Sequence, residues 1–179
     1  MKNDLFNLTR KVARYKEVLD QTTAYRDAWK NGLKEKLINF FNEVVKEVNL
    51  HAEVQVRADL ENLEAVVLSL GDSKSGMYQK LSGDIERHLI KHNGSLIYQQ
   101  LFNGKVIVMI QYPFIENYGE PKPAKTIAIY RPEELKDPFC IRHLEEFIQA
   151  ISDWEDFDDD EPNKKIGFEL NFNPQAQED

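Results

Sequence analysis

The stretch Ser95-Leu-Ile-Tyr-Gln-Gln-Leu-Phe-Asn-Gly-Lys-Val-Ile-Val-Met-Ile-Gln-Tyr112, followed after a loop by Ala124-Lys-Thr-Ile-Ala-Ile-Tyr-Arg131, decides the fold. Two β-rich runs flank Asn103-Gly104, and both of those residues tolerate φ > 0, so the segment reads as a β-hairpin. Alternation places Val106, Val108, Ile110 and Tyr112 on one face of the second strand and Ile107, Met109 and Gln111 on the other. With both faces apolar, this strand is expected in the middle of a sheet, covered on each side. The third run, Ala124–Arg131, follows as an antiparallel neighbour.

Working outward toward the N-terminus, residues 3–49 carry a helical period. Leu5, Leu8, Val12, Tyr15, Leu19 and Thr22 recur at alternating spacings of three and four, close to a heptad. A second stripe runs Leu33, Leu37, Phe40, Phe41, Val44 and Val48. The register shifts between the two, and Asn31-Gly32 falls inside the shift. That pattern predicts one long kinked helix, or two helices meeting near Gly32. Glu53–Arg57 and Leu63–Leu70 alternate as strands, and Met77–Leu81 is a further candidate. Asp84–Lys91 is ambiguous, with Ile85, His88 and Leu89 fitting a short helical face.

Toward the C-terminus, Asp137-Pro138 opens a helix reaching about Trp154, with Ile141, Leu144, Phe147, Ile148 and Ile151 as its apolar stripe. An acidic run follows, Asp156 and Asp158 to Glu161. Lys165–Phe172 then alternates as an edge strand or an exchanged arm. The fold class is therefore α+β: an antiparallel sheet of about five to six strands, flanked by a long N-terminal helix and a C-terminal helix. Residues 1–155 read as one domain (helical 1–50, sheet 51–131, helix 137–155), with 156–179 an acidic segment and arm.

The formal charge of −8 over 179 residues is uneven. Residues 1–50 hold ten Lys/Arg and seven Asp/Glu, residues 51–131 nine of each, and residues 132–179 four and fifteen. A C-terminal third at −11 repels phosphate, which argues against nucleic-acid binding. A single cysteine excludes an intrachain disulfide and suits a reducing compartment. The N-terminus lacks an apolar signal core and no run is long enough to span a membrane, so a cytoplasmic location is expected.

No phosphate loop, nucleophile elbow or kinase signature is present, and no catalytic residue is assigned. Cys140 and His143 lie three apart near a helix start, a spacing that could activate a thiol. Their apolar neighbours Phe139 and Ile141 favour a buried, inert cysteine beside a surface histidine. His88 and His92 lack the glutamate of a zinc helix, and the acidic run lacks the glycine of a calcium loop. No metal or cofactor is expected.

The loop Phe114–Pro123 is long for a hairpin connection. It sets Phe114, Ile115, Tyr118 and Lys122 among two stiffening prolines, as a binding surface would. A second possibility is a pocket between the N-terminal helix and a curved sheet, lined by Tyr98, Phe102, Tyr112 and Tyr130. The stripe Leu5, Leu8, Val12, Tyr15 and Leu19 has no partner left within one chain, because the other two helical stripes suffice to cover the sheet. It is expected to form a homodimer interface. The sequence thus points to a non-enzymatic protein-interaction or adaptor/chaperone-like module, or else to a small-ligand carrier or enzyme.

Overall fold

The computed structural model describes residues 5–82 and 85–157. Its architecture is α+β. One helix runs from Phe6 to Glu47 in three parts: α1 (Phe6–Ala28), a π-helical turn (Trp29–Leu33) and α2 (Lys34–Glu47). Asn31-Gly32 therefore does not end a helix. The widened turn absorbs the register shift, and its ends Trp29 and Leu33 are buried in the core. Packing of those two side chains outweighs the local stop signal. The true end is Asn49, left-handed at φ 52°. There Leu50 N–H donates to the Val45 carbonyl and Asn49 N–H to Lys46, a Schellman closure.

Five strands form the main sheet in the order β1-β2-β5-β6-β8: β1 (Glu53–Arg57), β2 (Ala65–Ser69), β5 (Ser95–Gln100), β6 (Val106–Gln111) and β8 (Lys125–Tyr130). All neighbours are antiparallel, with Val66 opposite Tyr98 and Tyr98 opposite Val108. The organising hairpin is present, but its turn uses φ > 0 only at Gly104, at +77°. Leu101 N–H bonds the Lys105 carbonyl and Gly104 N–H the Leu101 carbonyl. This is a three-residue loop closed by a glycine bulge, not a two-residue turn.

A second sheet, β3-β4-β7, comprises β3 (Asp72–Ser82), β4 (Ile85–His92) and the short β7 (Phe114–Ile115). Asp84–Lys91 is thus strand, not helix, over its described residues. The β2–β5 ladder continues into β3–β4 through bonds from Leu70 N–H to Gly94 and from Asn93 N–H to Gly71. Positive φ at Gly71 and Gly94 bends the ladder there.

The C-terminal helix α3 (Asp137–Glu155) packs on the same sheet face as α2, not on the opposite one. Tyr98 shows this directly: its ring meets Phe41 of α2 at 5.3 Å and its hydroxyl reaches His143 of α3. Five strands about 4.8 Å apart offer room for two helices lying roughly 10 Å from each other. The buried stripe of α3 is Cys140, His143, Leu144, Phe147 and Ile151, so Ile141 and Ile148 fall outside it. On the far face Ala65, Val67 and Ile97 are buried, with Met109 half-buried against them. The acidic run beyond Phe157 and the alternating Lys165–Phe172 segment lie outside the described residues.

Candidate functional site

Every residue from Leu5 to Asp20 is exposed. At 1.5 Å per residue this is about 24 Å of helix standing clear of the body. It carries Leu5, Leu8, Val12, Tyr15 and Leu19 at 51, 55, 43, 62 and 49% exposure. Phe6 and Val18 are also exposed beside that stripe. A helix segment of this length is marginal in water without a partner.

Its base, by contrast, is held firmly. The hairpin turn abuts α1 so closely that a Cβ on Gly104 would sit 2.7 Å from Tyr25 Cβ and 2.9 Å from the Thr22 carbonyl. The Arg26 guanidinium donates to the Phe102 carbonyl at 2.6 Å. One turn on, the Trp29 indole N–H and the Lys34 ammonium both donate to Glu64, at 3.0 and 2.8 Å. The Lys34 hydrogen bond is the main reason that the Glu64 carboxyl sits below its ordinary pKa. The projecting arm is thus continuous with the core helix and anchored at its base.

A second feature is polar and buried. His143 is 2% exposed, and both ring nitrogens are engaged: Nδ1 with the Tyr98 hydroxyl at 2.7 Å, Nε2 with the Tyr130 hydroxyl at 3.0 Å. A neutral imidazole donates through one nitrogen and accepts through the other, which satisfies this arrangement. Burial pushes the His143 pKa below its usual value and the Tyr98 and Cys140 pKa values above theirs. The Cys140 thiol is therefore held protonated, and His143 has no free nitrogen with which to activate it. The expected surface histidine is in fact a core group. Its place in the stripe Cys140, Leu144, Phe147 and Ile151 was the signal that it faces inward.

Beside it, β8 and α3 leave a groove of about 660 Å³, lined by Ile127, Ala128, Tyr130, Arg142, His143 and Glu146 among others. A bulge in β8 builds its wall. Val108 pairs with Ala128 but Met109 with Thr126, which leaves Ile127 unpaired. The lining residue Glu146 pairs with Lys125 of β8 at 2.8 Å, and this hydrogen bond raises the Lys125 pKa.

The four aromatics expected to line one pocket are scattered. Tyr98 and Tyr130 meet at His143, Phe102 is 74% exposed at the hairpin tip, and Tyr112 is buried beneath the Lys122 ammonium at 3.9 Å. The space between the N-terminal helix and the sheet is filled by Trp29, Leu33, Leu37 and Phe41. In the Phe114–Pro123 loop, Phe114 and Ile115 pair with His92 and Lys91 as β7, and Phe114 stacks on His92 at 4.3 Å. Tyr118 bridges back to Ile115. Phe114, Ile115 and Tyr118 are therefore tied into sheet pairing and half-buried, while Lys122 is exposed.

Among the described residues no three His, Cys, Asp or Glu side chains are grouped to hold a metal, and no helix is long and apolar enough to cross a membrane. No protein-family model, curated protein or solved structure matches the chain.

Proposed function

We propose that this chain is a cytoplasmic, non-enzymatic protein-interaction module, adaptor- or chaperone-like, that acts as a homodimer through its projecting N-terminal helix. One observation carries the reading: a helical arm from Leu5 to Asp20, anchored at its base and exposed on every side, with a near-heptad apolar stripe. An exposed stripe on a firmly anchored helix marks an interface. The −11 charge of residues 132–179 disfavours nucleic acid as a partner. The single cysteine, Cys140, is buried and free, which suits a reducing compartment.

Sedimentation equilibrium of the full chain tests this. The wild type is expected as a dimer, and the Leu8→Glu, Val12→Glu double variant as a folded monomer. A wild type that stays monomeric up to about 100 µM would sink the proposal, since dimerisation is governed by mass action.

A second reading, a small-ligand carrier or enzyme, is favoured by the groove between β8 and α3, whose floor reaches the buried His143. Its volume falls in the range of small-molecule sites. Native mass spectrometry of the purified chain would show a retained ligand as added mass.

A further inference from the structure

The same arm carries enough information to orient the dimer, and that orientation rests on the homodimer reading. We infer that two copies pair their α1 arms antiparallel, with Leu8 facing the partner's Leu19 and Val12 facing the partner's Tyr15.

Three observations carry this. The first is steric. The stripe continues from Leu19 to Thr22, and there the chain's own hairpin turn takes over the face, with Gly104 packed on Thr22, Tyr25 and Arg26. In a parallel pair the two turns would meet at the same level of the seam and force the helices apart. In an antiparallel pair they lie at opposite ends. Each arm then fits between its own base and the partner's, with Leu5 reaching the partner's Thr22.

The second is the size of the facing side chains. Antiparallel layers set Leu8 on the partner's Leu19 and Tyr15 on the smaller Val12 of the partner. Parallel layers stack Tyr15 on itself. Facing positions pack best when large meets small.

The third is charge beside the seam. With Leu5, Val12 and Leu19 at a and Leu8, Tyr15 and Thr22 at d, Lys11 is a g residue and Lys16 an e residue. A parallel pair sets Lys11 against the partner's Lys16, twice by symmetry. An antiparallel pair sets g beside g and e beside e. The Lys11 stem then lies over the partner's Val18, and Lys16 meets the partner's Thr9. This gives the exposed Val18 an apolar contact and removes the like-charge pairs. The antiparallel arrangement also brings the exposed Phe102, at the base of each arm, near the partner's N-terminal end, where Phe6 is 70% exposed.

The test is disulfide trapping in the full chain. Two single variants, Leu8→Cys and Leu19→Cys, are purified with tags of different mass, mixed and oxidised. A disulfide needs Cα atoms within about 7 Å. In the antiparallel pair Leu8 and the partner's Leu19 meet that limit, while Leu8 and the partner's Leu8 lie about 16 Å apart along the axis. The expected product is the mixed-tag dimer, with each variant alone giving little dimer. Wild type oxidised alongside controls for the buried Cys140. A disulfide dimer from Leu8→Cys alone overturns the antiparallel arrangement while leaving the homodimer standing. So does a dimeric wild type whose mixed variants give neither product. A wild type monomeric in sedimentation overturns the dimer reading itself and this inference with it. A monomer whose arm binds anionic lipid vesicles instead overturns both as well. Both substituted positions are exposed, so the folded state is expected to survive and is checked by circular dichroism.

Discussion

Helices α1 and α3 carry apolar stripes of similar length and meet opposite fates. On α3, Cys140, Leu144, Phe147 and Ile151 are 8% exposed or less, packed on β5, β6 and β8. On α1 no residue is buried. The difference is one of placement. The sheet lies under α3 for most of its length, whereas α1 leaves the body after its contacts with the Gly104 turn. A periodic apolar face thus states that a helix has a partner, without saying whether that partner is in the same chain.

The largest expected effect lies on the buried side of this comparison. Phe147→Ala removes a fully buried ring from α3 and should cost about 3–5 kcal/mol in urea denaturation. A loss under 1 kcal/mol would mean that α3 is not packed as described. Next comes the junction. Gly104→Val puts a β-branched residue at φ +77° and a Cβ against α1, so a loss of about 1–3 kcal/mol is expected. Unchanged denaturation in that variant would show that the turn does not brace the arm.

A smaller effect is tied to pH. His143 is neutral in the fold and its pKa lies below the unfolded value of about 6.5. The unfolded chain therefore binds the extra proton first. This contribution is intact above pH 6.5 and is lost as pH falls through the window down to the depressed folded value. The difference in unfolding free energy between wild type and His143→Gln should shrink on acidification through that window. A difference independent of pH would contradict a buried neutral imidazole. Smallest in effect on folding is the exposed stripe. Leu8→Glu with Val12→Glu should shift the unfolding free energy by no more than about 0.5 kcal/mol per site in dilute, monomeric protein. A loss comparable to that of Phe147→Ala would show that α1 is covered within the chain.

The candidate sites were legible to different degrees. The exposed stripe could be read from spacing alone, because Leu5 to Leu19 repeats over several turns. The Tyr98–His143–Tyr130 cluster could not. Tyr98 and His143 are 45 residues apart and meet only when β5 comes under α3. Glu64 gave no local signal either, since its partners Trp29 and Lys34 lie across the fold. The strand inside the loop after Pro113 was not legible, because two residues such as Phe114–Ile115 are too few to show a period.

By itself the sequence determined the secondary structure of its periodic segments: the hairpin at Gly104, β1, β2, β8, α3 and the two helical stripes. These follow from neighbours one to four residues apart, where side-chain period and backbone preference act together. Only the tertiary structure decided that Gly32 stays helical, that α2 and α3 share one sheet face, that Ile85–His92 is a strand paired with β3, and that His143 is buried between two phenols. Each of these depends on groups far apart in the chain. The burial of Trp29 outweighs a local stop signal, and pairing with β3 outweighs an ambiguous helical period.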